Sequence, residues 1–133
     1  VDKAKRAEQI AREAHKGQTR WDGIEPYIKH PERVAGQFRD ATHKAVAWLH
    51  DVVEDTEATL DDLRFFGFSE EILDAVSAIT HRSDQDYISY ILTVRRNKIA
   101  RAVKIADIRD NLVDITSKNH RDKYDLALFV LEC

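Results

Sequence analysis

The sequence predicts an all-α domain, and three observations predict it. Apolar residues recur at helical spacing along nearly the whole chain. The only two prolines, Pro26 and Pro31, fall in one early stretch, and there are only four glycines, so helix breakers are rare elsewhere. Strict two-residue alternation of apolar and polar residues, the mark of a half-buried strand, occurs nowhere.

The elements follow in order. From Val1 to Lys16 the residues Ala4, Ala7, Ile10, Ala11 and Ala14 form one helical stripe, and Gly17 ends it. Gln18 to Lys29 reads as a loop, with an Asp22-Gly23 turn signal and Pro26 discouraging helix before it. Pro31 suits the first turn of a second helix reaching about Arg39. A third helix is expected from Ala41 to about Val53, with Val46, Leu49 and Val53 inward. Thr59, followed by acidic Asp61 and Asp62, caps a short helix that Gly67 terminates. Ser69 starts another, to about Thr80. Segments Asp84–Arg95, Ile99–Ile115 and His120–Leu131 complete a helical bundle with a buried centre.

At 133 residues the chain is expected to be one domain, residues 1–133, with a single core. Charged residues make up 34% and hydrophobic ones 43%, which indicates a globular chain rather than a disordered one. The net charge of -3 argues against a broad nucleic-acid surface. No run approaches the roughly 18 apolar residues of a membrane span, so neither nucleic acid nor membrane is an expected partner. Val1 to Arg12 is charged throughout, unlike a signal peptide. Cys133 is the single cysteine, which excludes a disulfide framework and a thiolate metal site. A cytoplasmic location is expected, and any metal must be held by His, Asp and Glu.

The strongest local signal is the string from Trp48 to Asp55. His50 and Asp51 are adjacent, and Glu54 and Asp55 follow each at i+4. On a continuous helix this stacks Glu54 over His50 and Asp55 over Asp51. Ala47, Trp48, Leu49, Val52 and Val53 surround them, so carboxylates are being carried toward a core. That is costly unless a cation or donors compensate. The plain alternative is a solvated acidic helix end.

Two further segments contribute. His30 lies just before Pro31 and can point inward from a helix start. Asp107 sits among Ile105, Ala106 and Ile108, with Asn111 one turn on and Asp110 and Asp114 on the same side. For each the alternative is an ordinary capping or surface residue. Taken together, His30, His50, Asp51 and Asp107 are a candidate metal-ligand set. Two imidazoles and two carboxylates suit Mn²⁺, Fe²⁺, Co²⁺ or Zn²⁺ and suit Mg²⁺ less well. Glu54 and Asp55 are then left to orient or deprotonate a water. His15, His43, His81 and His120 carry no partner pattern; His15 is read as a surface residue, with the pocket as the alternative.

This ordered set resembles the hydrolase domain of the RelA/SpoT enzymes, above all the small stand-alone alarmone hydrolases. The matching text is Ala14–Arg20, Pro26–Pro31, Trp48–Thr56, Leu60–Phe68 and Val103–Leu112. The resemblance implies an all-helical HD-domain bundle with a central metal site holding one Mn²⁺. It implies a hydrolase that removes pyrophosphate from the 3′ position of ppGpp or pppGpp, a small-molecule nucleotide. Carried over by position, His30, His50, Asp51 and Asp107 are ligands and Glu54 and Asp55 activate water. Arg20 and Asn111 bind substrate, and Lys104 matches a basic position facing substrate or solvent. A basic rim is expected to meet the phosphates. Arg20 leads it, because its planar fork can grip a phosphate; Lys16, Lys29, Arg101 and Arg109 are secondary. Trp21 stands where the family often has a second basic residue. Val113 and Asp114 follow Leu112 where it often has an arginine, and the segment 83–98 is short. The synthetase domain of the long enzymes is not in this sequence, so alarmone synthesis is not expected. The competing readings are a general HD phosphohydrolase for another nucleotide or a 2′/3′-phosphate, and a catalytically silent nucleotide-binding domain.

Overall fold

A computed structural model describes residues 2–133; Val1, placed in the first expected helix, lies outside the described residues. Among them are nine helices: α1 (Lys3–Ala14), α2 (Lys29–Ala35), α3 (Ala41–Leu49), α4 (Val52–Asp55), α5 (Leu60–Phe65), α6 (Glu70–Ile79), α7 (Tyr87–Arg96), α8 (Lys98–Asp114) and α9 (Lys118–Glu132). The only β pairing among the described residues is an isolated bridge between Thr19 and Pro26. No helix among them is long and apolar enough to cross a membrane.

Local chemistry explains where the helices start. The side chains of Asp2, Asp40, Thr59, Ser69, Asp86, Asn97 and Ser117 each accept from a backbone N–H in the first turn of the helix that follows, satisfying a donor that has no intrahelical partner. Thr59 and Asp62 complete a reciprocal capping box. Gly17, just past α1, adopts a φ of 84°, a left-handed conformation that suits glycine.

Helix α3 is the hub, with α1, α2, α6 and α8 packed on it. Its Ala45, Val46, Ala47 and Leu49 are fully buried, together with Val34, Ile72, Val76, Val103 and Ile108. Burying the Val, Leu and Ile side chains among them is worth about 1.5–3 kcal/mol each, and the polar centre sits inside this apolar frame.

Two differences from the sequence expectation shape that centre. Helix α2 begins at Lys29 and ends at Ala35 rather than running from Pro31 to Arg39. His30 is therefore a helical residue, and Pro31 stays within the first turn, where its missing N–H does no harm. The expected long third helix is instead two pieces, α3 and α4, joined through His50 and Asp51. Neighbouring residues on a continuous helix diverge by about 100°, so adjacent side chains cannot easily reach one point. The break at His50 and Asp51 removes that constraint, while Asp55 N–H still bonds the Asp51 carbonyl at 2.9 Å.

Candidate metal centre

The ligand atoms of His30, His50, Asp51 and Asp107 all lie within 4.8 Å of one another. They come from α2, the α3–α4 junction and α8. His30 Nε2 is 2.7 Å from Asp107 Oδ1 and 3.9 Å from Asp51 Oδ2. His50 Nε2 is 2.9 Å from Asp51 Oδ2 and 3.2 Å from Asp107 Oδ1. Ligands about 2.1 Å from one ion are separated by about 3 Å along a coordination edge, so these spacings fit a shared cation.

The tautomers fit as well. His30 Nδ1–H donates to Asp110 Oδ2 at 2.6 Å, and His50 Nδ1–H donates to the Ala47 carbonyl at 2.6 Å. Both rings therefore present Nε2 to the centre, the orientation that outer partners impose on metal-binding imidazoles. Tyr27 donates its hydroxyl to Asp51. All three partners reinforce the first set of residues.

The electrostatics is that of a site built around positive charge. Burial opposes protonation of His50, but Asp51 and Asp107 outweigh it and raise its pKa well above the usual value. Burial likewise opposes protonation of His30, and Asp107 and Asp110 prevail. Burial alone would raise Asp51 and Asp107. His50 brings Asp51 down to about 2. Lys104 and His50 hold Asp107 far below the carboxylate range. A divalent ion would replace this proton-borne charge with metal-borne charge. The donor set therefore fits a divalent metal.

Glu54 and Asp55 sit at the mouth, exposed and grouped with Asp51. The protein beneath them still removes enough water to raise both pKa values, and the charge of Asp51 adds to this. Asp55 reaches about 6, with Glu54 contributing further. Glu54 is held by the His81 backbone N–H at 2.7 Å, so the turn after α6 aims it. The Gln18 amide donates to the Asp55 carbonyl at 3.3 Å.

The expected substrate residues lie around the same centre. Lys104 donates to Asp107 Oδ2 at 2.9 Å, over the Tyr90 ring, so it faces the centre rather than solvent. Asn111 is buried, its amide 3.5 Å from Asp107 Oδ1. Arg20 is only 4% exposed. Its Nη2 is 3.3 Å from Asp114 and 4.0 Å from Asp110, and its guanidinium lies 4.4 Å from the Trp21 ring centroid. Of the secondary rim candidates, Lys29 pairs with Glu32 and Arg109 with Glu132, while Arg101 donates to the carbonyls of Leu131 and Cys133.

His15 departs from its surface reading. It is buried, with Nδ1 2.9 Å from Gln18 Oε1 and its ring 4.8 Å from that of Tyr27; burial lowers its pKa. Asp110, noted in the sequence only as lying on the same side as Asp107, fixes the His30 ring and also accepts from Arg33 Nε at 2.7 Å. Its i+3 spacing from Asp107 was the available signal. Nothing in the sequence pointed to His81, because its contribution is a backbone N–H.

No protein-family model matches the chain. The bifunctional (p)ppGpp synthase/hydrolase SpoT of Escherichia coli K12 is 38% identical over 126 residues, covering 90% of this chain and 18% of that protein. A guanosine-3′,5′-bis(diphosphate) 3′-pyrophosphohydrolase of Haemophilus influenzae is 37% identical over 137 residues, covering 92% and 20%. The chain thus spans about a fifth of the length of these curated relatives. A solved structure, described as that of a metazoan ortholog of SpoT that hydrolyzes ppGpp, superposes with a TM-score of 0.73 at 24% identity, over 98% of this chain and 84% of that one. The two share the helical fold, at whose centre four candidate ligand residues of this chain converge. Over about nine tenths of its length the chain is thus similar in sequence to one segment of these SpoT-type enzymes.

Proposed function

We propose that residues 1–133 act as one catalytic unit, a Mn²⁺-dependent phosphohydrolase that releases pyrophosphate from the 3′ position of (p)ppGpp. One observation carries the reading. Four candidate ligand atoms from three separated segments meet within 4.8 Å, and the exposed carboxylates of Glu54 and Asp55 are grouped with that of Asp51. The relatives' names supply the nucleotide.

His30, His50, Asp51 and Asp107 would hold the ion. Bound there, it would polarise a phosphoryl oxygen and favour ionisation of a water. Glu54 and Asp55 would orient a water, and one of them would take its proton as the water oxygen bonds to phosphorus and the bond from phosphorus to the 3′ oxygen breaks, the proton passing on to that leaving oxygen. The His81 N–H keeps Glu54 aimed during the transfer. Lys104, beside Asp107, supplies positive charge next to the phosphoryl group, while Asn111 and Arg20 lie on the nucleotide side. The soft-to-borderline imidazole donors favour Mn²⁺ over Mg²⁺.

The test is pyrophosphate release from ppGpp by purified protein with Mn²⁺, with Mg²⁺ and with chelator. The reading requires turnover with Mn²⁺ and its loss on chelation. Hydrolysis of simple nucleotide monophosphates with ppGpp untouched would overturn it in favour of a general phosphohydrolase.

A further inference from the structure

His15 is a buried titratable side chain that the chemistry above leaves unused, and it is only 2% exposed. Burial pushes its pKa down, so the ring is neutral and one of its two nitrogens bears hydrogen. Gln18 decides which. Gln18 Nε2 faces the Asp55 carbonyl at 3.3 Å. A carbonyl needs a donor, so Oε1 is the atom turned to His15. His15 Nδ1 must then carry the proton and donate to Gln18 Oε1, 2.9 Å away. That leaves Nε2 as a bare acceptor, buried and without a partner among the described residues. A core selected for stability alone has no use for such a nitrogen.

The link from His15 through Gln18 ends on a helix that cannot hold itself. Helix α4 is four residues long, far below the length of independent stability. Asp55 is its last residue, so its carbonyl has no donor inside the helix. Gln18 supplies one. Gln18 is itself pinned: its N–H donates to the His15 carbonyl at 3.0 Å, and its carbonyl accepts from Tyr27 N–H at 2.8 Å. The His15 ring lies 4.8 Å from the Tyr27 ring, whose hydroxyl donates to Asp51. The Glu54 carboxylate is held directly by the His81 N–H. For Asp55 the hold is on its backbone.

We propose that His15 is a positioning residue for the hydrolysis: acting through Gln18, it latches the C-terminal end of α4 and so keeps the Asp55 carboxylate beside Asp51. This deepens the hydrolase reading and rests on it for the reaction. His15 acts without touching the reacting atoms.

Three variants separate the donor from the ring. His15→Phe keeps an aromatic ring against Tyr27 and removes the donor. His15→Asn keeps a donor, because its amide nitrogen is bonded to Cγ as Nδ1 is. Gln18→Glu keeps the acceptor for His15 and loses the N–H that holds Asp55. The Asp55 and Thr56 amides bond the Asp51 and Val52 carbonyls. In metal-free protein their hydrogen exchange should quicken about tenfold in His15→Phe and in Gln18→Glu, with the α3 amides unchanged. With Mn²⁺ and ppGpp, kcat should fall about tenfold in both, the equivalent of one neutral hydrogen bond, while KM and calorimetric Mn²⁺ affinity are kept. His15→Asn should recover native exchange and native kcat. The double variant His15→Phe with Gln18→Glu should be no worse than Gln18→Glu alone, because one chain of contacts is cut in either place. Native exchange and kcat in His15→Phe, no recovery in His15→Asn, additive losses in the double variant, or Mn²⁺ affinity falling in step with kcat would each overturn the proposal. Should His15→Phe not fold, Gln18→Glu, at a half-buried position, carries the exchange and kcat tests by itself, and native values there would overturn it equally. The exchange difference without any ppGpp hydrolysis by the native protein would sink the hydrolase reading and leave the latch standing.

Discussion

His50 is the residue on which most of the centre depends. It is fully buried and stands between Asp51 and Asp107. His50→Ala should abolish metal binding, read by calorimetric titration with Mn²⁺. It should also destabilise the metal-free protein by roughly 3–5 kcal/mol, the usual result of leaving buried charges without their partner. Glu54→Gln should separate chemistry from binding. Mn²⁺ affinity should be retained, and ppGpp turnover should fall about 10²–10⁴-fold; unchanged turnover would reduce Glu54 to a helix terminus. Asp110 is the residue that sequence reading undervalued. Asp110→Ala removes the acceptor that fixes His30 and should weaken Mn²⁺ binding roughly 10–100-fold, again by calorimetry. The convergence of the candidate ligands was legible because His-Asp beside buried aliphatics is chemically expensive and therefore informative. Asp110 and His15 were not, because a carboxylate or imidazole at a helix edge looks the same in sequence whether it faces water or a neighbouring ring.

Among the elements, caps and glycines were readable, and the junction at His50 was not. Thr59, Ser69 and the stop at Gly67 announced α5 and α6 directly. The α3–α4 break has no glycine or proline to mark it. Helical periodicity runs straight through Val46, Leu49 and Val53, and only the convergence of two adjacent side chains on one centre requires the interruption. Helix α2 was misplaced for a related reason: Pro31 is tolerated anywhere in a first turn, so it located the helix start only to within a residue or two. Helix α8 offers a test that separates folding from the site. Its cap, Asn97, accepts from Ala100 N–H at 2.9 Å, ten residues before Asp107. Asn97→Ala should cost about 1 kcal/mol of stability in urea unfolding, with Mn²⁺ affinity unchanged in the folded protein. A parallel loss of metal affinity would mean that the start of α8 sets the position of Asp107.

Across the whole molecule, the centre converts separated segments into one cooperative unit. His30 arrives on α2, His50 and Asp51 at the α3–α4 junction, and Asp107 on α8, while α3 carries the shared core. An ion bound by all four links helices whose side chains otherwise place a buried carboxylate, Asp107, beside a half-buried one, Asp51, and that arrangement exists only in the folded chain. Metal binding must therefore raise stability by mass action. At a free ion concentration 100 times Kd the gain is about 2.7 kcal/mol. For a chain of this length that corresponds to a rise in Tm of roughly 10 °C. Thermal unfolding followed by circular dichroism, with Mn²⁺ and then with excess chelator, should show that rise and its reversal. His50→Ala should show neither, because its four-residue set is broken, and Glu54→Gln should show both, because its ligands are intact. A Mn²⁺-dependent rise that survived in His50→Ala would place the ion elsewhere on the acidic surface and remove the centre's claim to it.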